Sequence, residues 1–254
     1  ARTDTEQRPF RQRLTRGAFI YLATPRLRGL LALNMAVAAV IAFVLVDTVV
    51  LVRGRFGGGE REVALAMAAF GAGSMAAALS LPRLLDRMAD RSVMLAGGAG
   101  LALIGLGYAL VLWAEATSWG GLLAVWATLG LCNSAVMTPS GRLLRRSAHE
   151  QDRPAIFTAQ FALSHACWLL AYPAAGWLGP WLGLETTLAL LALVAGGSVL
   201  LAMRLWPARA ATVIEHAHPD LPADHPHLTA HGGKRQHSHP VIIDDEHLRW
   251  PSQG

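Results

Sequence analysis

The run SVMLAGGAGLALIGLGYALVLWA, from Ser92 to Ala114, decides the architecture, because it passes without a single charge. A soluble helix needs a polar stripe at a period of about 3.6 residues, and this stretch has none. As a helix it is long enough to cross a hydrocarbon layer of roughly 30 Å. Five further apolar runs lie around it: Gly29–Val52, Val63–Leu81, Trp119–Met137, Ala155–Leu178 and Thr186–Trp206. Together they predict an all-α membrane protein built on a six-transmembrane-helix bundle.

Polar punctuation separates the runs. Arg53–Glu62 contains the triplet Gly57-Gly58-Gly59, Pro82 opens the charged segment Arg83–Arg91, and Glu115–Ser118 closes the third run. Thr138–Pro154 reads as the longest internal loop, Gly179-Pro180 as a turn, and Pro207 as the end of the sixth run. Three regions follow: a basic linker over 1–28, a transmembrane domain over 29–206, and a polar tail over 207–254.

Composition agrees. Only 15% of the 254 residues are charged and 53% are hydrophobic, whereas soluble domains carry about 25% charged residues. The net charge of +5 is carried by arginine, Lys234 being the only lysine. Such an excess can signal nucleic acid, but here the arginines sit in short loops, which points to membrane orientation and excludes a nucleic-acid partner. Arg83, Arg87 and Arg91 fill the second loop and Arg142, Arg145, Arg146 and Arg153 the fourth, while the third and fifth loops have none. Arg53, Arg55 and Arg61 in the first loop are the exception. Positive charge on alternate loops puts both ends of the chain in the cytoplasm.

Residues 1–28 are arginine-rich and lack the pattern of a secretory signal, so they are expected to be an interior linker of a longer chain. Cys132 and Cys167 both fall inside apolar runs and imply no disulfide framework. The sequence has no H-E-x-x-H, no G-x-S-x-G and no paired intramembrane acids, so no enzyme is expected. Gly71-Ala72-Gly73-Ser74-Met75-Ala76 fits a dinucleotide-binding spacing, but it lies in the middle of an apolar run, with no strand before it. Small residues here instead serve close helix packing, as do Ala77, Gly97, Gly98, Gly100, Gly105 and Gly107.

Pro82-Arg83-Leu84-Leu85-Asp86-Arg87-Met88-Ala89-Asp90-Arg91 resembles the G-x-L-x-D-R-x-G-R-R signature of the major facilitator superfamily, found between the second and third helices of each half. Leu84, Asp86, Arg87 and Arg91 match it, whereas Pro82, Ala89 and Asp90 depart from it. The resemblance implies a conformational gate at Asp86, Arg87 and Arg91. Val46-Asp47-Thr48 and Tyr172-Pro173-Ala174-Ala175-Gly176 resemble the ends of that family's seventh and eleventh helices, which makes 29–206 its helices seven to twelve. The implied protein is half of a 12-helix secondary transporter of a bacterial-type inner membrane. Its partners would be the lipid bilayer, a small-molecule or metal-ion substrate, and either an N-terminal six-helix half or a second copy.

Polar groups inside the runs are candidates for the transport path, because such groups are costly in lipid. They are Asn34, Asp47, Asn133 and His165. His165 has three readings: a metal ligand, a proton carrier, or a hydrogen bond to a neighbouring helix. The tail is the other distinctive feature. His216, His218, His225, His227, His231, His237 and His239 include three H-x-H doublets, whose neutral imidazoles suit nickel, cobalt or zinc. Pro219, Pro222, Pro226 and Gly232-Gly233 argue for a disordered tail, and no cofactor is required.

A His-rich tail on such a half resembles the nickel- and cobalt-resistance exporters of the same superfamily, implying proton-coupled efflux of a divalent transition metal. Two other readings stay open: a transporter of an organic solute or drug with an incidental tail, and a membrane-anchored metal binder or sensor that transports nothing.

Overall fold

The computed structural model describes residues 10–208, 213–217, 236–243 and the single positions Pro222, Thr229, His247 and Trp250. Seven α-helices form the body: α1 (Phe10–Ala23), α2 (Pro25–Phe56), α3 (Glu60–Leu85), α4 (Asp90–Trp113), α5 (Trp119–Arg145), α6 (Arg153–Leu182) and α7 (Leu184–Leu205). The six from α2 to α7 are long and apolar enough to span a membrane, as the apolar runs predict. Because they alternate in direction, one end of the bundle carries the start of α2, the α3–α4 and α5–α6 loops and the end of α7. We call this the basal end.

Local chemistry sets the turns at the opposite, distal end. Gly57 closes α2 at φ 62°, a left-handed conformation in which a side chain is strained. The Glu62 carboxylate then accepts a 2.8 Å bond from the Gly59 N–H, satisfying one free donor at the start of α3. The Ser118 hydroxyl does the same for α5, accepting from the Gly121 N–H at 3.1 Å. Arg55 lies within 3.8 Å of Glu115 and 3.6 Å of Glu185, so the exceptional basic charge of the first loop is matched by acids from the two other distal loops.

The helices pack as two linked triplets. α3 lies on α5 as α6 lies on α2, and α4 on α5 as α7 on α2, with further contacts between α4 and α7 and between α2 and α5. Exchanging α2–α4 for α5–α7 maps these pairs onto one another, the contact pattern of an internal repeat. Helix α2 is the most enclosed span. Glycine permits the tightest approaches. A Cβ on Gly73 would stand 1.7 Å from the Ala127 carbonyl oxygen, and one on Gly130 2.0 Å from that of Phe70, so α3 and α5 touch backbone to backbone. Gly98 gives the same freedom where Leu33 of α2 and Val199 of α7 converge on α4. Gly71 and Gly107 face open space instead.

Several boundaries differ from those read off the sequence. Within 1–28, α1 is a helix docked on α6, and α2 begins at Pro25. Ile20 and Tyr21 are fully buried there, an apolar face hidden in the sequence among arginines. Gly179-Pro180 lies within α6, and the chain turns at Gly183, φ 85°. Pro139 likewise sits inside α5, which runs on to Arg145 and shortens the long loop to a brief connection with a 3-10 turn at Glu150–Asp152. A proline removes one helical hydrogen bond, whereas a turn frees several backbone groups, which is far costlier away from water.

The tail departs from expectation at ten residues. Strand β1 (Val213–Ala217) pairs antiparallel with β2 (Gln236–Pro240). Just beyond β2, Val241 and Ile243 are buried, and Ile243 joins the main core cluster. Their burial supplies the apolar contact that the His- and Pro-rich composition lacks.

Candidate functional site

Two polar assemblies stand out, one at the basal end and one inside the bundle. At the basal end Asp90 opens α4 and is 6% exposed. Its Oδ1 accepts from the Arg142 guanidinium and its Oδ2 from Arg146 Nη1 at 3.2 Å. The carboxylate therefore meets two cations and the positive end of its own helix. Next to it, Arg91 Nε donates to the Trp206 carbonyl at 2.6 Å, at the end of α7. A Cβ on Gly29 would lie 2.7 Å from Trp206 Cβ, so α2 closes on the same point. Four spans meet at this lock: α2, α4, α5 and α7.

Of the gate residues read from the sequence, Arg91 joins the lock. Asp86 and Arg87 are exposed and make no ion pair among the described residues. The buried carboxylate is Asp90, which departs from the signature. Its partners Arg142 and Arg146 stand four apart on the last turn of α5, a spacing that presents both to one point and is visible in the sequence.

A second set of contacts fixes α1 and the tail. Arg16 clamps Asp152 through two bonds of 2.7 and 3.0 Å, and the Tyr21 hydroxyl donates to Gln160 Oε1. Burial pushes the Tyr21 phenol well above its ordinary pKa, so it remains a donor. Arg26 donates to Ser147 Oγ and to the Arg146 carbonyl, each at 2.8 Å, and its guanidinium carbon lies 5.7 Å from the centre of the Trp250 ring.

Inside the bundle, Asn34 is 3% exposed, and neither its amide oxygen nor its amide nitrogen has a hydrogen-bond partner among the described residues. Asp47 is equally buried, and its Oδ2 also lacks one. The two stand thirteen positions apart on α2, about 20 Å along its axis. Beside Asp47, Thr48 Oγ1 accepts from Trp126 Nε1 at 2.9 Å, and Tyr108 meets the Trp126 ring edge-on at 5.5 Å. The Tyr108 hydroxyl is buried without a partner among the described residues. Sequence reading missed this aromatic pair, because a tyrosine and a tryptophan in apolar runs look like ordinary lipid-facing residues.

Asn133 is half-buried, and His165 is exposed on α6. The His165 ring packs on Phe161 at 3.9 Å, and its Nδ1 lies 2.7 Å from the Phe161 carbonyl, which makes it the donor there. The four path candidates thus do not converge on one cluster. Around His165, α6 exposes Phe161, Leu169, Leu170, Trp177 and Trp181. Between α3, α4 and α5 lies an apolar cavity of about 240 Å³ lined by Leu81, Leu84, Met88, Val93 and Cys132.

No group of three His, Cys, Asp or Glu side chains gathers as a metal site among the described residues. Of the tail histidines, His218, His225, His227 and His231 lie outside those residues, while His216, His237 and His239 are placed by their strands.

The family model of the Major Facilitator Superfamily matches residues 27–237, which takes in all six spans. The chain belongs to the major facilitator superfamily. Membership makes it a membrane-embedded secondary-transport protein, in a family whose members are in general not enzymes. It also accounts for the repeat in the packing, since each six-helix half of a facilitator is built from two inverted three-helix units. No curated protein and no solved structure matches the chain.

Proposed function

We propose that this facilitator chain is one six-helix half of a proton-coupled exporter of a divalent transition metal, nickel or cobalt being the favoured cargoes. The basal end faces the cytoplasm of a bacterial-type plasma membrane, and the other half packs against the exposed faces of α3 and α6. Rocking of the halves about a central site carries the cargo. The observation that carries the metal reading is the tail, with its three H-x-H doublets attached to the basal end through Ile243 and Trp250. Asn34 and Asp47 supply the polar groups of this half to the path. The lock at Asp90, Arg91, Arg142 and Arg146 holds the basal end shut in one state and opens in the other.

A second reading, an organic cargo, is favoured by the lack of any three-ligand cluster among the described residues of the bundle. Efflux of radiolabelled nickel and cobalt from vesicles holding the full-length transporter decides between them. Metal movement driven by an imposed proton gradient supports the first reading. No metal movement, with drug or solute efflux in the same vesicles, replaces it with the second. Deleting 208–254 should lower metal tolerance of expressing cells while leaving membrane insertion intact.

A further inference from the structure

Beyond β2 the chain returns to the bundle and rests on it beside the lock. Val241 and Ile243 are each 1% exposed, and Ile243 belongs to the same apolar cluster as the buried residues of α2. His247 is buried too. Trp250 packs on that cluster, with its ring centre 5.7 Å from the Arg26 guanidinium carbon. Apolar side chains leave water only where a surface receives them, so these positions mark a docked segment.

The residue under Trp250 is itself a tie. From the first turn of α2, Arg26 donates to Ser147 Oγ and to the Arg146 carbonyl, each at 2.8 Å. Arg146 in turn donates through Nη1 to Asp90 Oδ2 at 3.2 Å. A continuous chain of contacts therefore runs from Trp250 through Arg26 and Arg146 to the buried carboxylate of the lock. It crosses the joint between the two three-helix units, because α2 belongs to one and the α5–α6 connection to the other. An aromatic face holds a guanidinium more firmly as water is excluded. In the sequence, Asp244-Asp245-Glu246 stand between Ile243 and Trp250, opposite in sign to the arginines of the basal loops.

We propose that the tail, anchored by Val241, Ile243 and Trp250, is a strap that holds the lock shut, a brake built into the chain on opening of the basal end. With Trp250 seated on Arg26, the start of α2 and the α5–α6 connection are held together, and the ring has to lift before they part. A segment that docks on the closed state alone shifts the balance toward that state by its own docking free energy. The inference rests on the proposed opening and closing of the lock, but neither on the cargo nor on metal binding by the histidines.

The test uses the full chain in detergent micelles, with Cys132 and Cys167 replaced by alanine and one reporter cysteine added for thiol labelling. Val93→Cys reports the lock, since Val93 is buried about one turn from Asp90 and lies in a different apolar cluster from Ile243 and Trp250. Leu122→Cys, buried at the distal start of α5, reports general loosening. Trp250→Ala should speed labelling at Val93→Cys by about two- to thirtyfold, the range a cation–π contact is worth in an equilibrium. Labelling at Leu122→Cys should stay slow, and amide exchange over 241–243 should rise. Trp250→Phe, which keeps a ring face, should recover part of the change. Asp90→Asn serves as the control that opens the lock with the strap in place. Fast labelling in Asp90→Asn with the wild-type rate in Trp250→Ala overturns the strap and leaves the lock. Wild-type rates in both overturn the opening lock as well. Equal acceleration at Leu122→Cys shows a loosened fold and also overturns the strap. Trp250→Ala keeps every histidine of the doublets, so its effect is separate from that of deleting 208–254.

Discussion

Arg91 reaches from the start of α4 to the last carbonyl of the adjacent span, donating through Nε to Trp206 at 2.6 Å. The contact joins two helices from different three-helix units at the basal end. Substituting Arg91 by alanine leaves that carbonyl without its partner, at a cost of about 1–3 kcal/mol. A lower midpoint of thermal unfolding in detergent is the expected result. Arg91→Lys should recover little, because the bond is donated by Nε and lysine has no donor at that place on its stem. A wild-type midpoint in Arg91→Ala would remove Trp206 from the lock.

Asp90 holds two guanidinium groups, and its removal leaves them facing one another. The carboxylate is buried while the guanidinium groups are 35% and 65% exposed, so losing its charge-assisted bonds costs about 1–3 kcal/mol. If the lock closes only one conformational state, that energy shifts the balance between states by about one to two orders of magnitude. Asp90→Asn should therefore slow transport well beyond its effect on protein level, and Asp90→Asn with Arg142→Gln should recover part of the loss. Accessibility of single cysteines placed in the basal loops reads the shift directly. Unchanged accessibility in Asp90→Asn would reduce the pair to a structural tie.

The glycine contacts between α3 and α5 give a sharper contrast. Gly130→Val must push α5 away from the Phe70 carbonyl, with overpacking worth about 1–3 kcal/mol and more where backbone blocks the way. Gly71→Val, two residues from the crossing but facing open space, should be nearly neutral. Yield and thermal midpoint of the two variants side by side test the packing, and equal behaviour would place the crossing elsewhere.

Asn34 separates function from stability. Its buried amide is unpartnered among the described residues, so Asn34→Leu should leave the thermal midpoint unchanged or raise it, because a bare polar group costs about 1–3 kcal/mol to bury. Transport should nonetheless fall if the amide contacts cargo or water in the path. Full transport by Asn34→Leu would take Asn34 out of the path.

The six spans were legible because length and absence of charge are coarse signals that survive without any partner. Helix ends were less so, since Pro139 and Pro180 read as stops in water but not in a medium where a turn costs more than a lost hydrogen bond. The site was legible only in part. Asn34 and Asp47 stood out as polar residues in apolar runs and proved buried. His165 stood out in the same way but is exposed on α6, on the face assigned above to the other half, because helical phase, not sequence depth, decides which way a residue looks. Asp90 was hidden by its place in a charged loop, where a buried carboxylate and a solvated one read alike.

Where α3 crosses α5, main chain rests on main chain, with no cushion of side chains between them. Slipping one past the other would drive carbonyl oxygens into α-carbons, so the two move as one rigid lever. Whatever bending the transport cycle demands of them falls to the weaker joints at Pro82 and Pro139, each nine residues below its crossing glycine and each already missing a helical bond.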